Sequence, residues 1–149
     1  MTTNATTTAP DAGITTRTAL DLTGHPDVPA RVGPFSHAVR WGDLLFVTGQ
    51  MPTLPDTGEV VAGGVAEQTE QVLRNLTAVL APCGAGLDDA LMVRVYLEDF
   101  DDFDAVNTVY RRWFAEPRPA RTCVGVRGLA VGARVEIDLI VGLVDGGER

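Results

Sequence analysis

Apolar and polar residues alternate along this chain with two different periods, and the changes of period mark out the elements. Between positions 65 and 80, Val65, Val72, Leu73, Leu76, Val79 and Leu80 fall on one stripe of a 3.6-residue repeat, which predicts an amphipathic helix. Glu67 and Glu70 lie near its start, where the helix dipole favours anions, and Pro82 with Gly84 ends it. A second helical spacing runs through Phe103, Val106, Tyr110, Trp113 and Phe114 until Pro117 breaks it. The acidic run at 99–102 stands at the start of that helix, so its aspartates read as caps and dipole partners rather than metal ligands. Tyr110, Trp113 and Phe114 read as a core-facing aromatic stripe.

Period two marks the strands. Leu91, Val93, Val95 and Leu97 alternate with Met92, Arg94 and Tyr96, and Val135, Ile137, Leu139 and Val141 alternate with Glu136 and Asp138. Residues 38–48 read as a hairpin turning at Gly42 and Asp43. Arg121, Cys123 and Gly125 alternate with Thr122, Val124 and Val126, predicting a strand after the proline break. The order β-β-α-β-α-β-β predicts an α+β fold, one sheet with two helices packed on one face. A hairpin of the last two strands, turning near Gly128 and Leu129, would set Arg121 across from Glu136. Residues 1–30 read as a disordered or irregular tail, 31–145 as the folded domain and 146–149 as a frayed end. Two helices shield only one face of a sheet, so self-association is expected.

Charge narrows the partners. The net charge is −8, with no clustered basic patch, which argues against nucleic acid or an anionic membrane. No apolar run reaches the roughly 18 residues of a membrane span, and 1–30 has neither an apolar block nor a basic leader, so a cytoplasmic protein is expected. All 12 cations are arginine, which removes lysine Schiff-base chemistry. Cys83 and Cys123 read as reduced thiols, and neither they nor the two histidines are spaced as metal ligands. His37 and Trp41 read as surface residues. Arg121 beside Glu136 is open to two readings: a structural salt bridge, or a carboxylate clamp next to an acid/base.

Several motifs in sequence together resemble the RidA (YjgF-type) family. They are Gly33-Pro34-Phe35-Ser36-His37-Ala38, then 42–50 (Gly-Asp-Leu-Leu-Phe-Val-Thr-Gly-Gln), then Thr57-Gly58-Glu59 with Glu67-Gln68-Thr69 and Asn75. Phe103, Asn107 and Tyr110 follow, then Pro119-Ala120-Arg121-Thr122-Cys123-Val124 and Val135-Glu136-Ile137. The resemblance covers about 33–141. It implies a chorismate-mutase-like sheet with two helices, assembled as a homotrimer with inter-subunit active sites. It implies a cofactor-free hydrolase acting on C=N bonds, of the 2-iminobutanoate/2-iminopropanoate deaminase kind. Such enzymes turn 2-aminoacrylate and 2-imino acids into 2-keto acids and ammonia.

By the same resemblance Arg121 holds the substrate carboxylate and Glu136 moves protons. Cys123, Thr48, Phe35 and Asn107 line the substrate site, and no metal is implied. Phe35 stands where the family has tyrosine, and His37 where glutamine is usual, so the substrate range is expected to differ. Two alternatives remain in view. One is a dedicated enzyme processing an imine or a carbamate-like compound in a specialised pathway; the other is a non-catalytic trimer that binds a small ligand.

Overall fold

The stripe at 65–80 becomes α1 (Val65–Leu80), whose Val72, Leu73, Leu76, Val79 and Leu80 are each 0% exposed. Its N-terminus is closed by the Glu67 carboxylate, which accepts from the Gly64 N–H at 2.7 Å. The second helical spacing becomes α2 (Phe103–Trp113). In the computed structural model, which describes residues 16–144, these helices lie side by side on one face of a six-stranded sheet. The strands are β1 (Arg17–Leu20), β2 (Ala38–Trp41), β3 (Leu44–Gln50), β4 (Ala90–Leu97), β5 (Ala120–Gly125) and β6 (Val135–Gly142). Their order across the sheet is β1-β2-β3-β6-β4-β5. Leu45, Val47, Val93, Val95, Val135, Ile137, Leu139 and Val141 are buried beneath the helices. The single sheet with both helices on one face is the predicted architecture.

Three expectations are corrected. The first is the C-terminal hairpin. β5 pairs with β4, in parallel, and not with β6. Parallel neighbours need a crossover connection, and α2 supplies it. The chain then crosses the end of β4: the Val126 N–H donates to the Leu97 carbonyl, and the Glu98 N–H to that of Arg134. β6 therefore enters on the far side of β4. Arg121 pairs with Val93 and Glu136 with Tyr96, so β4 separates them. Because Val93 faces the helices, Arg121 does too; Glu136 points to the opposite, open face.

The second correction is at the N-terminus. Within the stretch read as an irregular tail, Arg17–Leu20 forms an edge strand on β2, and Val28 is buried. Three of the strand's four residues are exposed, so its sequence carries no burial pattern to read. Residues 1–15 and 145–149, which include most of the expected disordered tail and the frayed end, lie outside the described residues.

The third concerns two polar side chains. Asp102 is not a side-chain cap; its carboxylate takes the Arg134 guanidinium at 2.7 and 3.1 Å, tying α2 to the start of β6. Asp99 does accept from the Asp101 N–H. His37 is 2% exposed, not on the surface. Its Nδ1 accepts from the Leu22 N–H at 3.1 Å, which leaves Nε2–H to donate to the Pro29 carbonyl at 3.0 Å. One buried imidazole thus ties the end of the loop between β1 and β2 to its start at Leu22 and its middle at Pro29.

Candidate active site

The predicted site residues fall into two groups. The first group surrounds Glu136 on the open face. Between Val47 and Gln50 the β3 ladder slips against β6, three steps on one strand matching two on the other. The bulge brings Thr48 and Gly49 against the Glu136 side chain. A Cβ on Gly49 would stand 2.4 Å from Glu136 Oε1, so the position must be glycine for the carboxylate to lie there. Thr48 Oγ1 donates to the Ser36 carbonyl at 2.6 Å, and the Thr48 N–H to the His37 carbonyl. These bonds hold the loop bearing Phe35 over the bulge. The open recess so formed is about 470 Å³, lined by the apolar Val32, Phe35, Phe46 and Met51 and by the polar Arg94 and Asp138.

Burial pushes the Glu136 carboxyl above the usual carboxylate range, and the neighbouring Asp138 adds to the rise. Asp138 is itself held, accepting from Arg94 Nε at 2.7 Å and from the Tyr96 hydroxyl at 3.2 Å. A half-buried carboxyl with raised proton affinity, lining a largely apolar pocket, is a candidate to carry a proton.

The second group surrounds Arg121 on the helix face. Its guanidinium carbon lies 4.7 Å from the centroid of the Tyr110 ring and 5.7 Å from that of Phe103. Nη1 donates to Asn107 Oδ1 at 2.7 Å. Among the described residues no carboxylate pairs with it. Arg121 is therefore oriented by neutral groups, with donors left over for a planar anion. Cys123 is its neighbour on the same face of β5, half-buried, and burial pushes the thiol up against the opposing pull of Arg121. That favours a protonated, packed thiol over a nucleophile.

Phe35, Thr48 and Glu136 therefore come together, and so do Arg121, Asn107 and Cys123, but one chain does not unite the two sets. Sequence reasoning missed Gly49, whose role is the space it leaves, and Arg94 with Asp138, whose alternation with apolar neighbours on β4 and β6 marked them only as facing the open side. Among the described residues no three His, Cys, Asp or Glu side chains cluster as a metal site, and no helix is long and apolar enough to cross a membrane.

Comparison with known proteins supplies the family. The family model described as Endoribonuclease L-PSP matches residues 26–143. The chain is 44% identical over 117 residues to the RutC family protein y4sK of Sinorhizobium fredii, covering 78% of this chain and 93% of that one. It is 38% identical over 116 residues to a protein of Dermatophagoides farinae named 2-iminobutanoate/2-iminopropanoate deaminase, covering 78% and 91%. Among solved structures, RidA from an Antarctic Psychrobacter superposes with a TM-score of 0.76 at 36% identity, over 79% of this chain and 95% of that one. With both the sequence match and the fold in agreement, the chain belongs to the RidA (YjgF-type) family.

Proposed function

We propose that this protein is a hydrolytic deaminase of 2-imino acids and their enamine tautomers, releasing 2-keto acids and ammonia. The observation that carries the reading is the unpaired Arg121, fixed by Asn107 and two rings, with no carboxylate of its own. A structural salt bridge would have satisfied it; a substrate carboxylate does so instead. The name of the Dermatophagoides relative agrees with this chemistry.

The reaction needs a held carboxylate, a water and a proton carrier. Arg121 binds the carboxylate beside the C=N bond. Glu136, deprotonated, takes a proton from water as its oxygen adds to the iminium carbon. Glu136 then returns its proton to the carbinolamine nitrogen; the C–N bond breaks as the hydroxyl oxygen closes to C=O and its proton passes to the departing ammonia, which leaves as ammonium. Water is consumed, one ammonia is released and no redox step occurs.

Because one chain keeps Arg121 and Glu136 on opposite sheet faces, the working site is built between subunits, and the assembly is a homotrimer. The open sheet face supports this: Trp41 and Phe46 lie on it 50% and 42% exposed, on strands whose other face is core. The test is ammonia and keto-acid release from imines generated in place by an amino-acid oxidase. Release above the buffer rate that scales with protein supports the reading. A well-folded trimer that leaves every imine to decay at the buffer rate overturns it and leaves the ligand-binding alternative.

A further inference from the structure

The Arg121 half contains more positive charge than one carboxylate requires. The cavity beside it, about 210 Å³, is lined by Asn107, Tyr110, Arg111, Arg118, Pro119 and Arg121. Three guanidinium groups border it and no carboxylate does, in a chain whose net charge is −8. Arg118 is partly committed: Nε donates to the Phe114 carbonyl at 3.2 Å, and Nη1 pairs with Glu116 outside the cavity lining. The adjacent Arg112 is matched with Glu70, whereas the Arg111 side chain forms no hydrogen bond or ion pair among the described residues. Among the lining residues Tyr110 is 4% exposed, and its buried hydroxyl has no hydrogen-bond partner. A buried phenolic hydroxyl left unpaired costs stability, and its positive neighbours make an anion its natural acceptor.

We propose that Arg118, Arg111 and the Tyr110 hydroxyl form a second-anion subsite beside Arg121, and that the preferred substrates are imino acids carrying a second carboxylate. This rests on the reading of Arg121 as the carboxylate clamp. Arg121 takes the carboxylate next to the C=N bond, and the side-chain carboxylate enters the cavity. There it accepts from the Tyr110 hydroxyl and from the free Nη2 edge of Arg118, with Arg111 closing the outer side. A monocarboxylic imine leaves those donors unanswered, so discrimination comes from unpaired buried polarity as well as from the added contact.

The experiment compares kcat/KM on imines generated from aspartate and glutamate with those from alanine and 2-aminobutanoate. The expected preference for the dicarboxylic imines is about tenfold or more, the scale of one charge-assisted hydrogen bond. Arg118→Ala should lower kcat/KM for the dicarboxylic imines at least about tenfold more than for the monocarboxylic ones, with Arg118→Lys recovering part of the difference. Because Arg118 also holds the Phe114 carbonyl, Arg111→Ala serves as the second variant, and a smaller shift in the same direction is expected. Equal rates on both imine classes, or equal losses in the variants, overturn the proposal. Calorimetric binding of 2-oxoglutarate against 2-oxobutanoate separates the two readings. Tighter, Arg118-dependent binding of 2-oxoglutarate without turnover of any imine keeps the subsite and removes the deaminase. Turnover of monocarboxylic imines with no preference in rate or binding does the reverse.

Discussion

The two pockets are built by opposite means. Around Glu136 the chain removes material: a bulge in β3 and the bare Cα of Gly49 make a recess that a carboxylate fills, and burial raises its proton affinity. Around Arg121 the chain supplies surfaces: two aromatic rings and one amide oxygen fix a guanidinium without neutralising it. The contrast explains why the two are kept apart. A guanidinium and a carboxylate that met within one chain would form a stable ion pair, and each would silence the other. Held on opposite faces of the sheet, both remain available, and in the proposed trimer a neighbouring subunit would bring them to one substrate.

The largest expected effect tests that separation. Arg121→Ala should cost about 2–5 kcal/mol of binding to a partly dry carboxylate, roughly thirty-fold to several thousand-fold in kcat/KM. Glu136→Gln should lower kcat more than it raises KM. Mixing the two dead variants then sharpens the comparison. In a mixed trimer with shared sites, one interface can receive Glu136 from one subunit and Arg121 from the next, so activity should return to about a third of the wild-type rate at most. Assays on co-refolded mixtures measure it. Mixtures that stay as inactive as either parent would show that each site draws both residues from one chain.

Gly49 offers a smaller, more local perturbation. In Gly49→Ala the new methyl meets the movable end of Glu136, so the carboxylate swings away while the strand holds. Displacing a catalytic group by about 1 Å can cost up to a hundredfold. We expect a fall in kcat of about ten- to a hundredfold, with little change in KM for the carboxylate held by Arg121 and little change in melting temperature. A normal kcat would show that Glu136 does not act from the recess.

Much of the helix-facing side was legible in the sequence. Val72, Leu73, Leu76, Val79 and Leu80 can bury together only on one face of a helix, and alternation along β4 and β6 leaves one buried side. The pairing of strands was not legible. Residues 119–126 read equally well as a hairpin partner of β6 or as the parallel neighbour of β4, because local pattern sets a strand's faces and not its neighbours. The roles proposed for Arg121 and Glu136 come from resemblance and do not depend on that hairpin, whereas the expected pairing of the two residues across it is overturned. His37 escaped for another reason: its partners are backbone groups of Leu22 and Pro29, and no side-chain pattern announces them. The free hydroxyl of Tyr110 was hidden inside a correct reading, since the ring does stack in the core against Phe114.

The smallest predicted effect is thermal, and it asks how isolated Glu136 is. Its carboxyl is raised above the ordinary carboxylate range, by burial first and Asp138 second. For a raised carboxyl the folded state is favoured while the group is protonated, below its unfolded value of about 4.3, and that advantage is lost as pH rises through the folded value. As pH rises toward 7.5 that advantage is lost, and Glu136→Gln, which keeps the shape without the charge, should melt above the wild type. As the pH falls toward 4 the gain should shrink and then vanish, because the wild-type carboxyl then holds its own proton. Melting curves of both proteins at several pH values measure the difference. A variant that melts lower than the wild type at pH 7.5 would mean that Glu136 is already paired with a cation of the neighbouring subunit. In that case the carboxylate and the guanidinium are not kept waiting for substrate, and the contrast between the two pockets fails.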